Sequence, residues 1–231
     1  LGGHAPFVVC RDADPVHAAK GLVLVKFLNT GQACISPNRV YVHEDMVEPF
    51  IEELKDRVQR LKAGYGMAKE VKIGPLVSRE EYQKIYDQVH DALDKGATLI
   101  TGGSRLTDDE LAKGYFYAPT ILSGVNSSMN IYREETFGPV APIITYTVED
   151  SIVECANDTN YGLAAYVYTR DLGKAFSIAE RLNFGIIGIN DINPTSVAAP
   201  FGGMKDSGIG REGATEGIEE YLEVKSCGFS I

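Results

Sequence analysis

Residues 6–43 read PFVVCRDADPVHAAKGLVLVKFLNTGQACISPNRVYVH, and this stretch decides the fold. Pro6–Cys10 is a short apolar run of strand type. Asp14 followed by Pro15 is an N-cap with proline at the first helical position, where its missing N–H is no loss. A helix is predicted from there through about Asn29. Val40–His43 is a second strand. A strand, a helix and a strand in that order form a βαβ unit, which joins parallel neighbours.

The same alternation continues outward. From Asp45, the apolar residues Val47, Phe50, Ile51, Leu54, Val58 and Leu61 fall at helical spacing with charges between them. Ser78-Arg79-Glu80-Glu81 is a capping box opening a helix that runs to Lys95 and stops before Gly96. Strands are predicted at Ala97–Thr101, Thr120–Leu122, Val140–Tyr146, Ala164–Tyr168 and Ile186–Asn190. Helices are predicted at Ser151–Asn157 and Asp171–Asn183. The expected fold is α/β, a three-layer sheet of mainly parallel strands with helices on both faces. Residues 199–213 break the pattern, with Pro200, five glycines and no periodicity. Such backbone is a close-approach site or a tortuous loop. Ile218–Lys225 reads as a helical turn followed by an edge strand.

The 231 residues carry 22 Lys and Arg against 32 Asp and Glu, a formal net charge of −10. That balance argues against nucleic acid or an anionic membrane surface as a partner, since both select clustered cations. The apolar runs are far shorter than the roughly 18 residues of a membrane span. The cysteines at 10, 34, 155 and 227 show no C-x-x-C spacing, which fits a reducing, cytoplasmic setting. No metal-ligand spacing is present, so no metal is expected.

Cys34 lies between a predicted helix and a predicted strand, where a rigid scaffold aims a short loop. Gly31, Ala33 and Ser36 leave room around its sulfur. A buried structural thiol is the competing reading. Cys10 ends an apolar strand, Cys155 sits on the core face of a helix and Cys227 is in the tail. A Cys–His acyl hydrolase would need a partner among His4, His17, His43 and His90, and nothing in their placement points at Cys34. Solvated or capping roles are expected for them.

Gly31-Gln32-Ala33-Cys34 resembles the catalytic-cysteine motif of the aldehyde dehydrogenase superfamily. Glu134-Glu135-Thr136-Phe137-Gly138-Pro139-Val140 resembles its E-E-x-F-G-P-V segment. Asn160-Tyr161-Gly162-Leu163-Ala164-Ala165 and Pro200 through Glu212 (PFGGMKDSGIGRE) complete the set in the family's order and spacing. The resemblance implies NAD- or NADP-dependent oxidation of an aldehyde to the acid, through a thiohemiacetal and thioester on Cys34. It implies that Glu135 holds the nicotinamide ribose, that Phe137 packs near the nicotinamide and that Phe201 lines the substrate tunnel. Glu212 resembles a second acid that relays protons. The ending of the chain and Gly188-Ile189-Asn190-Asp191 are most similar to succinate-semialdehyde dehydrogenases, whose substrate-contacting hydroxyl falls at Thr195. Leu28 stands where many of them carry an arginine for the substrate carboxylate, which leaves a generic aliphatic aldehyde as the alternative.

The resemblance begins just after the family's general-base glutamate, which stands directly before Leu-Gly-Gly. The chain is therefore expected to be a C-terminal fragment, inactive alone, of a homo-oligomeric parent. Residues 1–198 would form the thiol-bearing catalytic domain. Residues 199–231 would form a glycine-rich loop, returning toward an absent cofactor domain, and an oligomerisation strand. A cysteine acyl hydrolase and a silent assembly module are the readings from other classes.

Overall fold

The computed structural model describes residues 2–148, 151–192 and 195–231; Leu1 lies outside them. Seven strands form the main sheet: β1 (Ala5–Val9), β2 (Pro37–His43), β3 (Thr98–Thr101), β4 (Thr120–Ser123), β5 (Val140–Tyr146), β6 (Ala164–Tyr168) and β7 (Ile186–Ile189). Their spatial order is β7-β6-β1-β2-β5-β4-β3. Every pairing is parallel except β3 with β4 at one edge. The principal helices are α1 (Pro15–Lys26), α2 (Val47–Gln59), α3 (Arg79–Asp94), α4 (Ile152–Asn157) and α5 (Leu172–Arg181).

The central strands are mainly apolar because both their faces are covered, as parallel sheets require. Phe7, Val9, Val40, Val42 and Ile143 pack under Ala18, Leu22 and Val25 of α1 and Phe50, Leu54 and Val58 of α2. Val8, Tyr41, Ile144 and Val167 face the other way, onto Ile85 and Val89 of α3, Ile152 and Val153 of α4, and Ile178 of α5. The three-layer expectation is met.

Local signals act as written. Asp14 Oδ1 accepts the N–H groups of Val16 and His17 at the head of α1. Ser78 Oγ accepts the Glu81 N–H at the head of α3. Arg39, fully buried, donates to His4 O and to Cys155 O, Ala156 O and Asp158 O at the end of α4. A helix C-terminus is where a buried cation finds unpaired carbonyls.

Three expectations are corrected. Helix α1 stops at Lys26 rather than Asn29, because Asn29 and Thr30 enter the left-handed region. Beyond the turn Glu216–Glu219 no strand forms, and Leu222 and Val224 stand exposed. A strand is held by its ladder, and here no neighbouring strand supplies one. His4 is buried and neither solvated nor capping, whereas His43, also buried, caps as expected, its Nδ1 accepting the Asp45 N–H. Among the described residues no helix is long and apolar enough to cross a membrane.

Six strands share one direction, so their first residues line a single edge of the sheet, and the segments before five of them carry the motifs. Gly2-Gly3 precede β1, Cys34 precedes β2, Glu135–Gly138 precede β5, Gly162 precedes β6 and Gly185 precedes β7. Ligands of open α/β sheets commonly sit at the carboxyl ends of strands. In this chain the motif residues gather at the amino ends.

Candidate active site

The nucleophile loop is a strained turn held from several sides. Asn29, Thr30 and Gly31 have φ of +48°, +61° and +78° in succession. Such a conformation is costly for β-branched Thr30 and persists only where surrounding contacts over-determine it. Those contacts are present. Thr30 Oγ1 accepts the Gly74 N–H at 2.8 Å and donates to Gly74 O at 3.3 Å. Gln32 donates to Pro75 O and accepts the Val77 N–H. A Cβ at Gly31 would collide with Gly138 O, so glycine lets the Cys34 loop lie directly on the segment that carries Glu135 and Phe137.

Cys34 is half-buried. Burial pushes its thiol above the ordinary value. The amides of Cys34 itself and of Ile35 oppose that rise, while the Glu135 carboxylate adds to it. Cys10 is buried, and Cys155 is partly buried with its thiol also pushed up by burial. Cys227 is exposed in the tail. Exposure alone would favour Cys227 for simple alkylation; what distinguishes Cys34 is its place against Gly3, whose N–H the Glu135 carboxylate holds.

Glu135 Oε1 accepts the Gly3 N–H at 3.1 Å. Burial raises its carboxyl, while the Gly3 N–H, Lys84 and Lys26 pull it down. Gly3 also abuts the Cys34 carbonyl, where a side chain would collide. Cys34, Glu135 and Gly3 thus form one cluster. Phe137, half-buried with φ +53°, turns the chain beside it. A half-buried carboxylate with lone pairs beyond its one N–H partner fits a ribose diol.

Thr195 and Phe201 share a separate cleft of about 550 Å³ with Ser196, Val197, Ala199 and Glu212. Cys34 is not in its wall, although Phe201 packs against the same apolar cluster as Cys34. Glu212 is exposed and pairs backbone to backbone with Phe201. The loop 199–213 returns to the amino edge, where buried Ser207 accepts the Gly162 N–H and donates to Gly2 O. The histidines are engaged elsewhere. His4 contacts Tyr132 O, and its basicity falls to about 3 through burial first and Arg39 second. His90 contacts Tyr86 O, and His17 lies edge-on to Tyr168.

Sequence reading missed Lys26, Asn38 and Tyr166. Lys26, fully buried, donates to Asn38 Oδ1 at 3.0 Å across the neck of the nucleophile loop. Tyr166 donates to Ile35 O at 2.9 Å. A lysine inside the apolar run Leu22–Phe27 was the one visible signal.

The aldehyde dehydrogenase family model matches residues 1–227. The chain belongs to the aldehyde dehydrogenase family. It is 44% identical, over 97% of its length, to a succinate-semialdehyde dehydrogenase [NADP(+)] of Escherichia coli, of which it covers 46%. It is also 44% identical, over 97% of its length, to a non-phosphorylating aspartate-semialdehyde dehydrogenase of Halomonas elongata, of which it covers 45%. Among solved structures it superposes on a succinate-semialdehyde dehydrogenase from Burkholderia pseudomallei with a TM-score of 0.92 at 44% identity, covering 96% of this chain and 45% of that one. A betaine aldehyde dehydrogenase from Staphylococcus aureus, solved in complex with NAD+, gives a TM-score of 0.91 at 38% identity, covering 96% of this chain and 44% of that one. The chain spans about half the length of the curated relatives it matches.

Proposed function

We infer that these residues form the thiol-bearing part of an enzyme that oxidises an aldehyde to its carboxylic acid with NAD+ or NADP+. The observation that carries this reading is the cluster at the amino edge: half-buried Cys34 lies against Gly3, whose N–H is held by the half-buried Glu135 carboxylate. Cys34 gives up its proton and its sulfur attacks the aldehyde carbon. The Cys34 N–H can then donate to the oxygen that becomes negative. Glu135 accepts the ribose hydroxyls and Phe137 flanks the nicotinamide, while NAD+ or NADP+ when bound supplies the hydride acceptor. In this reading residues 1–198 are the catalytic unit. The exposed apolar tail with Leu222, Val224 and Phe229 is an assembly segment of a homo-oligomer in the cytoplasm.

The substrate we favour is a short aldehyde bearing an anionic group, succinic semialdehyde first. Relatives are named for the semialdehydes of succinate, aspartate and glutarate and for 3-sulfolactaldehyde, all acids. Thr195 offers a hydroxyl in the cleft with Phe201. Leu28, 54% exposed, offers no guanidinium, which keeps a generic aliphatic aldehyde as the second reading. The test is a kcat/KM comparison of succinic semialdehyde with butanal, using both cofactors, in the full-length enzyme. A preference for the semialdehyde is expected, together with loss of roughly 10³-fold or more in Cys34→Ala. Equal use of both aldehydes removes the anionic-substrate reading, and an active Cys34→Ala removes the nucleophile.

A further inference from the structure

We propose that Tyr166 is a positioning residue for the nucleophile: from strand β6 its phenol holds the Ile35 carbonyl and so fixes the turn that carries the Cys34 sulfur. The proposal rests on the reading of Cys34 as nucleophile. Tyr166 is fully buried, and its Oη donates to Ile35 O at 2.9 Å. Its ring lies against Phe7 with centroids 6.0 Å apart, so the phenol has little freedom to follow a moving loop.

The peptide units around Cys34 are each engaged on the carbonyl side. Ala33 O accepts the Ser36 N–H at 2.9 Å. Cys34 O is wedged against Gly3. Ile35 O accepts the Tyr166 phenol. Ser36 Oγ donates to Lys26 O at 3.3 Å, and Lys26 Nζ closes the neck on Asn38. With its carbonyls fixed, the turn holds the Cys34 sulfur in place, and the Cys34 and Ile35 amides favour its charged form. Tyr166 reaches the loop from the far end of the chain, across the sheet, and is the only one of these groups anchored on a strand other than β1 or β2. Burial pushes its phenol well above the ordinary value, with Cys34, Tyr168 and Asp191 adding to that, so it stays a donor across the working pH range. The charged side chain that acts on Cys34 itself is Glu135.

The experiment follows the iodoacetamide alkylation rate of Cys34 against pH in the 231-residue chain, read by peptide mass spectrometry with exposed Cys227 as internal reference. In Tyr166→Phe, the Cys34 profile is expected to move to higher pH. Its rate near neutral pH should fall roughly three- to tenfold, the size of one net hydrogen bond, while Cys227 is unchanged. Tyr168→Phe removes a neighbouring buried phenol on the same strand and is expected to leave the Cys34 profile in place. An unshifted profile in Tyr166→Phe overturns the proposal. So does an equal shift in Tyr168→Phe, which would mean general loosening of the strand. Failure of the underlying reading shows differently: succinic semialdehyde would not shield wild-type Cys34 from the reagent, and both readings would then fall.

Discussion

Lys26 places an amine in the core beneath the nucleophile loop, and its ionisation is coupled to stability. Burial lowers it from 10.5 to about 7, with Glu135 opposing. Between those values the unfolded chain binds a proton that the folded chain does not. Folding stability therefore rises with pH through this window, by about 1.4 kcal/mol per pH unit from this group. Lys26→Met removes that contribution. Urea unfolding at pH 7.5 and 9.5 should show wild type gaining on the variant as pH rises; a constant difference would refute the assignment. The buried thiols and phenols, whose values are raised, act in the opposite direction at the alkaline end, and both proteins share them. At this scale Cys34 was legible, because its neighbours form a motif. Lys26 was legible only as an odd cation in an apolar run, since a lysine near a helix C-terminus ordinarily reaches solvent.

At the level of elements, Asp12 ties the start of α5 to the exit of β1. Its carboxylate accepts the Thr169 hydroxyl at 2.8 Å and the N–H groups of Arg170 and Asp171 at 2.7 and 3.0 Å. Lys174 lies at 3.3 Å. Burial pushes the Asp12 carboxyl up, but the bonds from Thr169, Arg170 and Lys174 outweigh it and hold it at about 2, below the ordinary 3.8. A depressed carboxyl stabilises the fold above its unfolded value and loses that contribution as pH falls through the folded one. Asp12→Asn should therefore be less stable than wild type above about pH 5. The gap should close as pH drops from 3.8 toward 2, and a gap independent of pH would refute the linkage. Helix heads were readable from Asp14 and Ser78, whose partners lie two or three residues away. The early stop of α1 was not, because Thr30 is held left-handed by Gly74, a residue distant in sequence.

Over the whole molecule, the amino edge of the sheet assembles the candidate site, and the chain covers about 45% of the length of the relatives it matches. On the proposed reading Glu135 and Phe137 serve the cofactor, while the G-x-G-x-x-G at Gly208–Gly213 lies in the glycine-rich loop and does not open a helix after a main-sheet strand. We expect the 231 residues alone to fold, as their two-faced core allows, and to give no steady aldehyde-dependent reduction of NAD+ or NADP+. An absorbance assay for reduced cofactor decides this, and steady turnover by the purified chain at micromolar cofactor would refute it.

The residue pattern by itself determined the alternation of strands and helices, the three layers and, through four ordered blocks, the family. These rest on local periodicity and on short contiguous motifs. Only the tertiary structure decided that Gly3, Cys34, Glu135 and Tyr166 meet at one edge, because parallel strands align the starts of segments that lie far apart in the chain. It also decided the electrostatics of the sulfur. Its burial and the facing Glu135 carboxylate are set by how the loop is pinned, and no short stretch of sequence records that.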